Sequence, residues 1–277
     1  MRLGGPTYTP YTDPQSWVTA VQNAGYRAAY SPVGLDADEA TIRAYAEAAR
    51  QADIVIAEVG VWNNPLASDA DERRAAIEKC QNCLALAERI GARCCVNIAG
   101  SRGAKWDGPC ELDLTEETFE MIVNITRQII DAVQPTRTFY TLEPMPWMYP
   151  DSPDSYLALL QAVDRPAFAV HLDPVNMISS PQRYFANAAF VRECFEKLGP
   201  HIQSVHAKDI LLRDNLTTHL DEMRPGLGRL DYRAFLRAAN QLTPDLPIML
   251  EHLPSAEEYE QAAAYVRQVA SQEGLLV

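Results

Sequence analysis

Residues 167–174 read Ala167-Phe168-Ala169-Val170-His171-Leu172-Asp173-Pro174. The run is short and mostly apolar, and it ends on a carboxylate followed by a proline that cannot donate to a sheet ladder. This predicts a strand buried on both faces that delivers a polar residue at its C-terminal end. Seven other segments have the same form: Arg2–Gly4, Tyr26–Ser31, Asp53–Val61, Arg93–Ala99, Thr138–Glu143, Ile202–His206 and Pro247–Glu251. Between them run longer stretches with apolar residues at helical spacing, such as Ile42, Tyr45, Ala46 and Ala49, or Tyr232, Phe235, Leu236 and Ala239.

Eight strand–helix alternations without a break in composition predict a parallel sheet with helical crossovers. An open doubly wound sheet would need fewer strands and a Gly-rich phosphate turn after the first one. Leu3 is instead followed by Gly-Gly-Pro-Thr, so the expectation is an α/β chain forming one (β/α)8 TIM barrel over residues 1–277. Asp13-Pro14 and Ser152-Pro153 are helix starts, and Ser255 with Glu258 fits a capping box. Two longer excursions, Ser101–Thr115 and Lys208–Asp231, fall after the fourth and seventh strands. In a barrel both emerge on the face that carries the chemistry.

A net charge of −13 and an isoelectric point near 4.8 oppose binding to nucleic acid or anionic lipid. The mean hydropathy is −0.20, no apolar run reaches membrane-spanning length, and the first residues form no signal-type apolar segment. The expectation is a cytoplasmic protein with no membrane partner, for which a homo-oligomer is compatible. Cys80 and Cys83 make a lone CxxC inside a helical pattern, which reads as buried reduced thiols.

Four consecutive predicted strands end in ligand-type residues: Glu143, Asp173, His206 and Glu251, spaced by 30, 33 and 45 residues. Three carboxylates gathered at the end of a barrel would repel one another, and a divalent cation is the simplest compensation. Three oxygen donors and one imidazole suit Mn²⁺, Mg²⁺, Co²⁺ or Fe²⁺ and are less typical of structural Zn²⁺. Trp62, Asn97 and Trp147 fall near strand ends where they could line a polyol pocket, as could Glu58, Asn63 and Trp106. His171 shares the inward face with Asp173, and Lys208 is close enough to His206 to reach a substrate oxygen.

The segments Leu142-Glu143-Pro144, His171-Leu172-Asp173-Pro174-Val175-Asn176, Val205-His206-Ala207-Lys208-Asp209, Pro225-Gly226-Leu227-Gly228 and Leu250-Glu251-His252 resemble the xylose isomerase-like barrel superfamily. That superfamily holds sugar isomerases, ketose 3-epimerases, inosose-processing enzymes and endonuclease IV. The resemblance implies that Glu143, Asp173, His206 and Glu251 bind one Mn²⁺-like ion and that the two glutamates act as acid and base. The sequence departs from the family at Asn176, where a histidine is common. An asparagine can bond a substrate oxygen but is a poorer metal ligand.

The expected function is a sugar or polyol isomerase or epimerase working by proton transfer through a metal-stabilised enediolate, with Trp62, Asn97, Trp147, His171, Asn176 and Lys208 around the substrate. Dehydration of a keto-sugar or inosose, or deglycosidation, shares the same elimination logic. A phosphoesterase resembling an AP endonuclease fits less well with the acidity and with Asn176, and a non-catalytic sugar-binding barrel fits less well with an intact tetrad.

Overall fold

The run around His171 forms β6 (Phe168–Leu172), with every residue buried, in a computed structural model that describes residues 1–277. β5 (Phe139–Leu142) and β7 (Ile202–Ala207) flank it in parallel, with Leu142 opposite Val170 and Leu172 opposite Val205. Beyond β5 come β4 (Cys94–Asn97), β3 (Val55–Gly60), β2 (Ala28–Tyr30) and β1 (Arg2–Gly4). β10 (Pro247–Leu250) joins β7 to β1 and closes the ring. All of these pairings are parallel, so the chain forms the expected (β/α)8 TIM barrel.

Most of the strands are shorter than their sequence patterns. Glu143, Asp173 and Glu251 each lie one residue past the end of their strand, and Glu143 is still tied to β4 by its N–H to the Asn97 carbonyl oxygen at 2.8 Å. His206 lies inside β7, which continues to Ala207.

The outer layer consists of α1 (Pro14–Asn23), α2 (Glu39–Gln51), α3 (Ala70–Ile90), α4 (Glu116–Val133), α5 (Pro153–Val163), α7 (Asn187–Leu198), α8 (Tyr232–Asn240) and α9 (Ala256–Gln272), with a short α6 (Pro181–Phe185) before α7. Asp13 and Ser152 form reciprocal caps with Ser16 and Ser155 ahead of a proline in the first turn. At Ser255 only half of the expected capping box forms. Its hydroxyl accepts the Glu258 N–H, while the Glu258 carboxylate lies 2.8 Å from Arg224. Cys80 and Cys83 are buried free thiols on α3. No helix is long and apolar enough to cross a membrane.

The main apolar core fills the space between strands and helices. Inside the barrel a smaller plug of Ala28, Ala57 and Met249 sits below the strand ends. Gly4 makes room for it, since a Cβ there would lie 2.5 Å from the Ala28 carbonyl oxygen and 2.6 Å from Met249 Sδ.

The excursion after β7 is not irregular throughout. β8 (Asp209–Leu212) and β9 (Leu220–Met223) pair as an antiparallel hairpin over the barrel mouth. Buried Asp209 accepts the backbone N–H groups of Ile210, Gly226, Gly228 and Leu230 at 2.8–3.0 Å. A Cβ at Gly228 would meet Asp209 Oδ1 at 2.3 Å. The Pro-Gly-x-Gly segment therefore wraps its amides around a carboxylate of the chain itself.

Candidate metal centre and substrate cleft

Four strand ends bring Glu143, Asp173, His206 and Glu251 together, each with a ligand atom within 4.8 Å of the others. All four side chains are buried. His206 Nδ1 faces the carboxylates, 2.7 Å from Glu251 and 3.2 Å from Glu143. Its Nε2 points the other way, 3.3 Å from Glu58 on β3. Glu58 is held by the Ser204 hydroxyl at 2.5 Å. With a cation bound, this partner would keep the ring proton on Nε2 and leave the Nδ1 lone pair free to act as a ligand.

Lys208 lies between β7 and β8 and is only 2% exposed. Its Nζ is 2.6 Å from Glu251, 2.9 Å from Asp173 and 3.5 Å from both Glu143 and Glu222. It is therefore an interior cation of the site, while its sequence neighbour Asp209 serves the loop. Asn176 donates to Glu143 at 3.0 Å, and its amide oxygen is 3.4 Å from Lys208.

Burial alone would raise the Glu143 carboxyl, but Lys208 and His206 outweigh it and hold this group well below the usual carboxylate range. At Asp173 burial wins, and with the repulsion of Glu143 and Glu251 it pushes the group up to about 7 against the pull of Lys208. Burial would lower His206, yet the surrounding Glu251, Glu58 and Glu143 raise it well above the ordinary imidazole value. Asp173 Oδ2 and Glu251 Oε1 are buried and make no well-directed hydrogen bond, and are met only by Lys208 at 2.9 and 2.6 Å and, for Glu251, by His206 Nδ1 at 2.7 Å. Buried and clustered carboxylate oxygens beside an imidazole nitrogen are a donor set that fits a divalent cation.

The other residues singled out in the sequence separate into two groups. Trp62, Trp147, Asn176 and Lys208, with Trp106, line a cleft of about 990 Å³ above the four ligand-type residues. Asn97 and His171 do not line it. Asn97 is fully buried and exchanges hydrogen bonds with Asn63, at 3.1 Å to its backbone N–H and 2.9 Å to its side-chain oxygen. His171 packs its ring 4.1 Å from that of His206, below the carboxylates, and burial lowers its pKa to about 4.

Glu58 sits beside His171 and His206 within the barrel, below the mouth. Sequence reading passed over Glu222. It is carried over the mouth by the hairpin, 3.5 Å from Lys208 and 3.2 Å from His252. An exposed-looking acid in a loop carries no local signal of that placement.

A family model described as xylose isomerase-like TIM barrel matches residues 18–269. Among curated proteins none shows a significant match to the chain. Solved structures with the same fold include D-psicose 3-epimerase with D-tagatose from Clostridium cellulolyticum H10, at 14% identity and a TM-score of 0.69, covering 97% of this chain and 99% of that one. A probable 3-DHS dehydratase involved in petrobactin synthesis from Bacillus anthracis aligns at 19% identity and a TM-score of 0.69, covering 95% of each chain. A xylose isomerase-like TIM barrel protein from Mycobacterium smegmatis in complex with magnesium aligns at 15% identity and a TM-score of 0.67, covering 94% of this chain and 90% of that one.

Proposed function

The chain belongs to the xylose isomerase-like TIM barrel family, and from that premise we propose that it is a metal-dependent sugar or polyol epimerase or isomerase. The observation that carries this reading is the convergence of Glu143, Asp173, His206 and Glu251 from four adjacent strands within 4.8 Å. These four residues would hold one divalent cation, Mn²⁺ first among the candidates. When bound, the cation supplies a Lewis acid that polarises a substrate carbonyl and acidifies the neighbouring C–H.

The remaining work falls to side chains of the chain itself. Glu143 at the end of β5 and Glu251 at the end of β10 approach the site from different parts of the ring. A substrate carbon between them would present one face to each carboxylate, so one removes a proton and the other returns it through an enediolate. Glu58 holds the His206 ring by its Nε2–H, and Asn176 orients Glu143. Lys208 supplies a fixed positive charge that favours negative charge developing on substrate oxygen.

Dehydration of a keto-sugar is the second reading. It begins with the same proton abstraction, and a probable dehydratase shares the fold. The test is metal analysis of the purified protein, then incubation with ketoses, inososes and keto-glycosides in D₂O. Solvent deuterium in recovered or epimerised sugar supports the first reading, and loss of water from the substrate supports the second. Glu143→Gln and Glu251→Gln should each lower turnover at least about a hundredfold. Wild-type exchange rates in both variants, with metal and substrate still bound, would exclude the two-glutamate mechanism.

A further inference from the structure

The cleft has two chemically different walls. The acidic wall comes from β5, β6, β7 and β10, and an aromatic wall runs from β5 through β4 to β3, so that its far part faces β7 and β10. Trp62 follows β3, Trp106 sits in the loop after β4, and Trp147 follows β5. Trp62 and Trp106 are 40% and 38% exposed. Trp62 also has a φ of +50°, a region that bulky side chains avoid. Gly60 lets that indole fold inward, since a Cβ there would lie 2.2 Å from Trp62 Nε1. Trp147 is pinned by its Nε1–H to the Asp107 carbonyl oxygen at 3.1 Å. Exposed indoles on a strained and braced backbone are arranged to cover something.

Charge restricts what that is. No arginine lines the cleft. Its two potential cations are both paired, Lys208 with the carboxylates around it and His252 with Glu222 at 3.2 Å and Glu251 at 3.5 Å. The loop after the seventh barrel strand, where barrels often seat a phosphate on backbone amides, has spent them. The N–H groups of Gly226 and Gly228 point at Asp209 Oδ2 at 2.9 and 3.0 Å. Apart from the proposed metal, a phosphorylated or carboxylated sugar would meet no unpaired side-chain cation and no free amide cradle. The volume, about 990 Å³, lies at the upper end for small-molecule sites and leaves room for a second ring beside one sugar.

We propose that the substrate is an uncharged glycoside whose sugar ring carries a ketone, with that ring at the acidic wall and an apolar or second-ring aglycone on Trp62, Trp106 and Trp147. This rests on the reading of the acidic wall as the reacting centre, but its test reads binding and needs no turnover. The Mn²⁺-loaded protein is titrated calorimetrically with phenyl β-D-glucopyranoside, D-glucose and D-glucose 6-phosphate. The phenyl glucoside should bind at least about tenfold more tightly than D-glucose, a difference of ~1.4 kcal/mol, and the phosphate more weakly than D-glucose.

Trp62→Ala and Trp106→Ala should each cut the phenyl glucoside advantage several-fold while leaving D-glucose within about twofold, and Trp62→Phe should retain most of it. Tightest binding by the phosphate, no preference for the phenyl glucoside, or equal losses for both sugars in the tryptophan variants would each overturn the proposal. Deuterium exchange into a free ketose without any phenyl glucoside preference removes this inference alone. The preference without exchange into any substrate removes the proton-transfer reading alone.

Discussion

At the residue scale, the four proposed ligands were legible because each ends an apolar run, and alternation along a strand fixes which way such a residue faces. His206→Ala removes the only nitrogen among them and leaves the carboxylates crowded. Bound metal should fall well below one per chain by elemental analysis, with the far-ultraviolet spectrum of a folded barrel retained, and full metal content in the variant would contradict the assignment. Lys208 was less legible. Its position near His206 could be read, but its burial could not, because that depends on carboxylates arriving from β5, β6, β9 and β10. Removing a buried cation leaves uncompensated charge, so Lys208→Met should destabilise the protein in EDTA by about 3–5 kcal/mol. Saturating Mn²⁺ should shrink that loss, because a divalent ion compensates the same oxygens. Urea unfolding with and without metal separates the cases, and an equal loss in both would show that Lys208 and the cation do not share a role.

At the element scale, strand and helix order followed from periodicity, while strand ends did not, since a ladder stops where its partner stops. The hairpin over the mouth was hidden because Asp209-Ile210-Leu211-Leu212 and Leu220-Asp221-Glu222-Met223 are short and lack a tight-turn signature between them. Asp209→Ala leaves four amides without their acceptor, those of buried Ile210 and Leu230 among them, and should cost at least about 2 kcal/mol. Hydrogen exchange should accelerate at the Gly226 and Gly228 amides before the barrel strands are affected, and unchanged protection there would refute the role given to this carboxylate.

The C-terminal half of α3 supplies a pH-dependent contact to the start of β5. Glu88 accepts the Thr136 hydroxyl at 2.7 Å and the backbone N–H groups of Arg137 and Thr138 at 3.0 and 3.1 Å. Partial burial would raise this carboxyl, but those donors lower it to about 2. A carboxyl depressed by folding contributes stability above its unfolded pKa, and the contribution is lost as pH falls toward the folded value. Wild type should exceed Glu88→Gln by on the order of 2 kcal/mol at neutral pH, with the gap closing between about pH 4.5 and 2. A gap that widens with acidification would reverse the sign and refute the assignment.

At the scale of the whole molecule, the closed barrel was readable from the count of βα units, even though β1 has three residues and meets β2 at a single register pair, Gly4 with Ala28. Charge at this scale also bears on function. The chain carries −13, and the mouth where chemistry would occur is acidic and free of arginine. Arginines do gather in a groove between α7 and α8, where Arg192, Arg233 and Arg237 lie on the outer wall away from Glu143, Asp173, His206 and Glu251. Arg233 and Arg237 are themselves paired with Glu273. A nucleic-acid phosphoesterase needs cations beside the reacting centre to seat the flanking phosphates, because phosphate contacts supply most of the nonspecific affinity. Here such cations are on the wrong surface, and two of the three are already partnered. The protein should therefore show no incision of abasic-site DNA above background with Mn²⁺ or Zn²⁺ supplied, and no salt-dependent retention of duplex DNA near physiological ionic strength. Robust metal-dependent incision that disappears in Glu251→Gln would mean that the acidic mouth accepts a polyanion despite its charge, and the sugar reading would give way to a phosphodiester one.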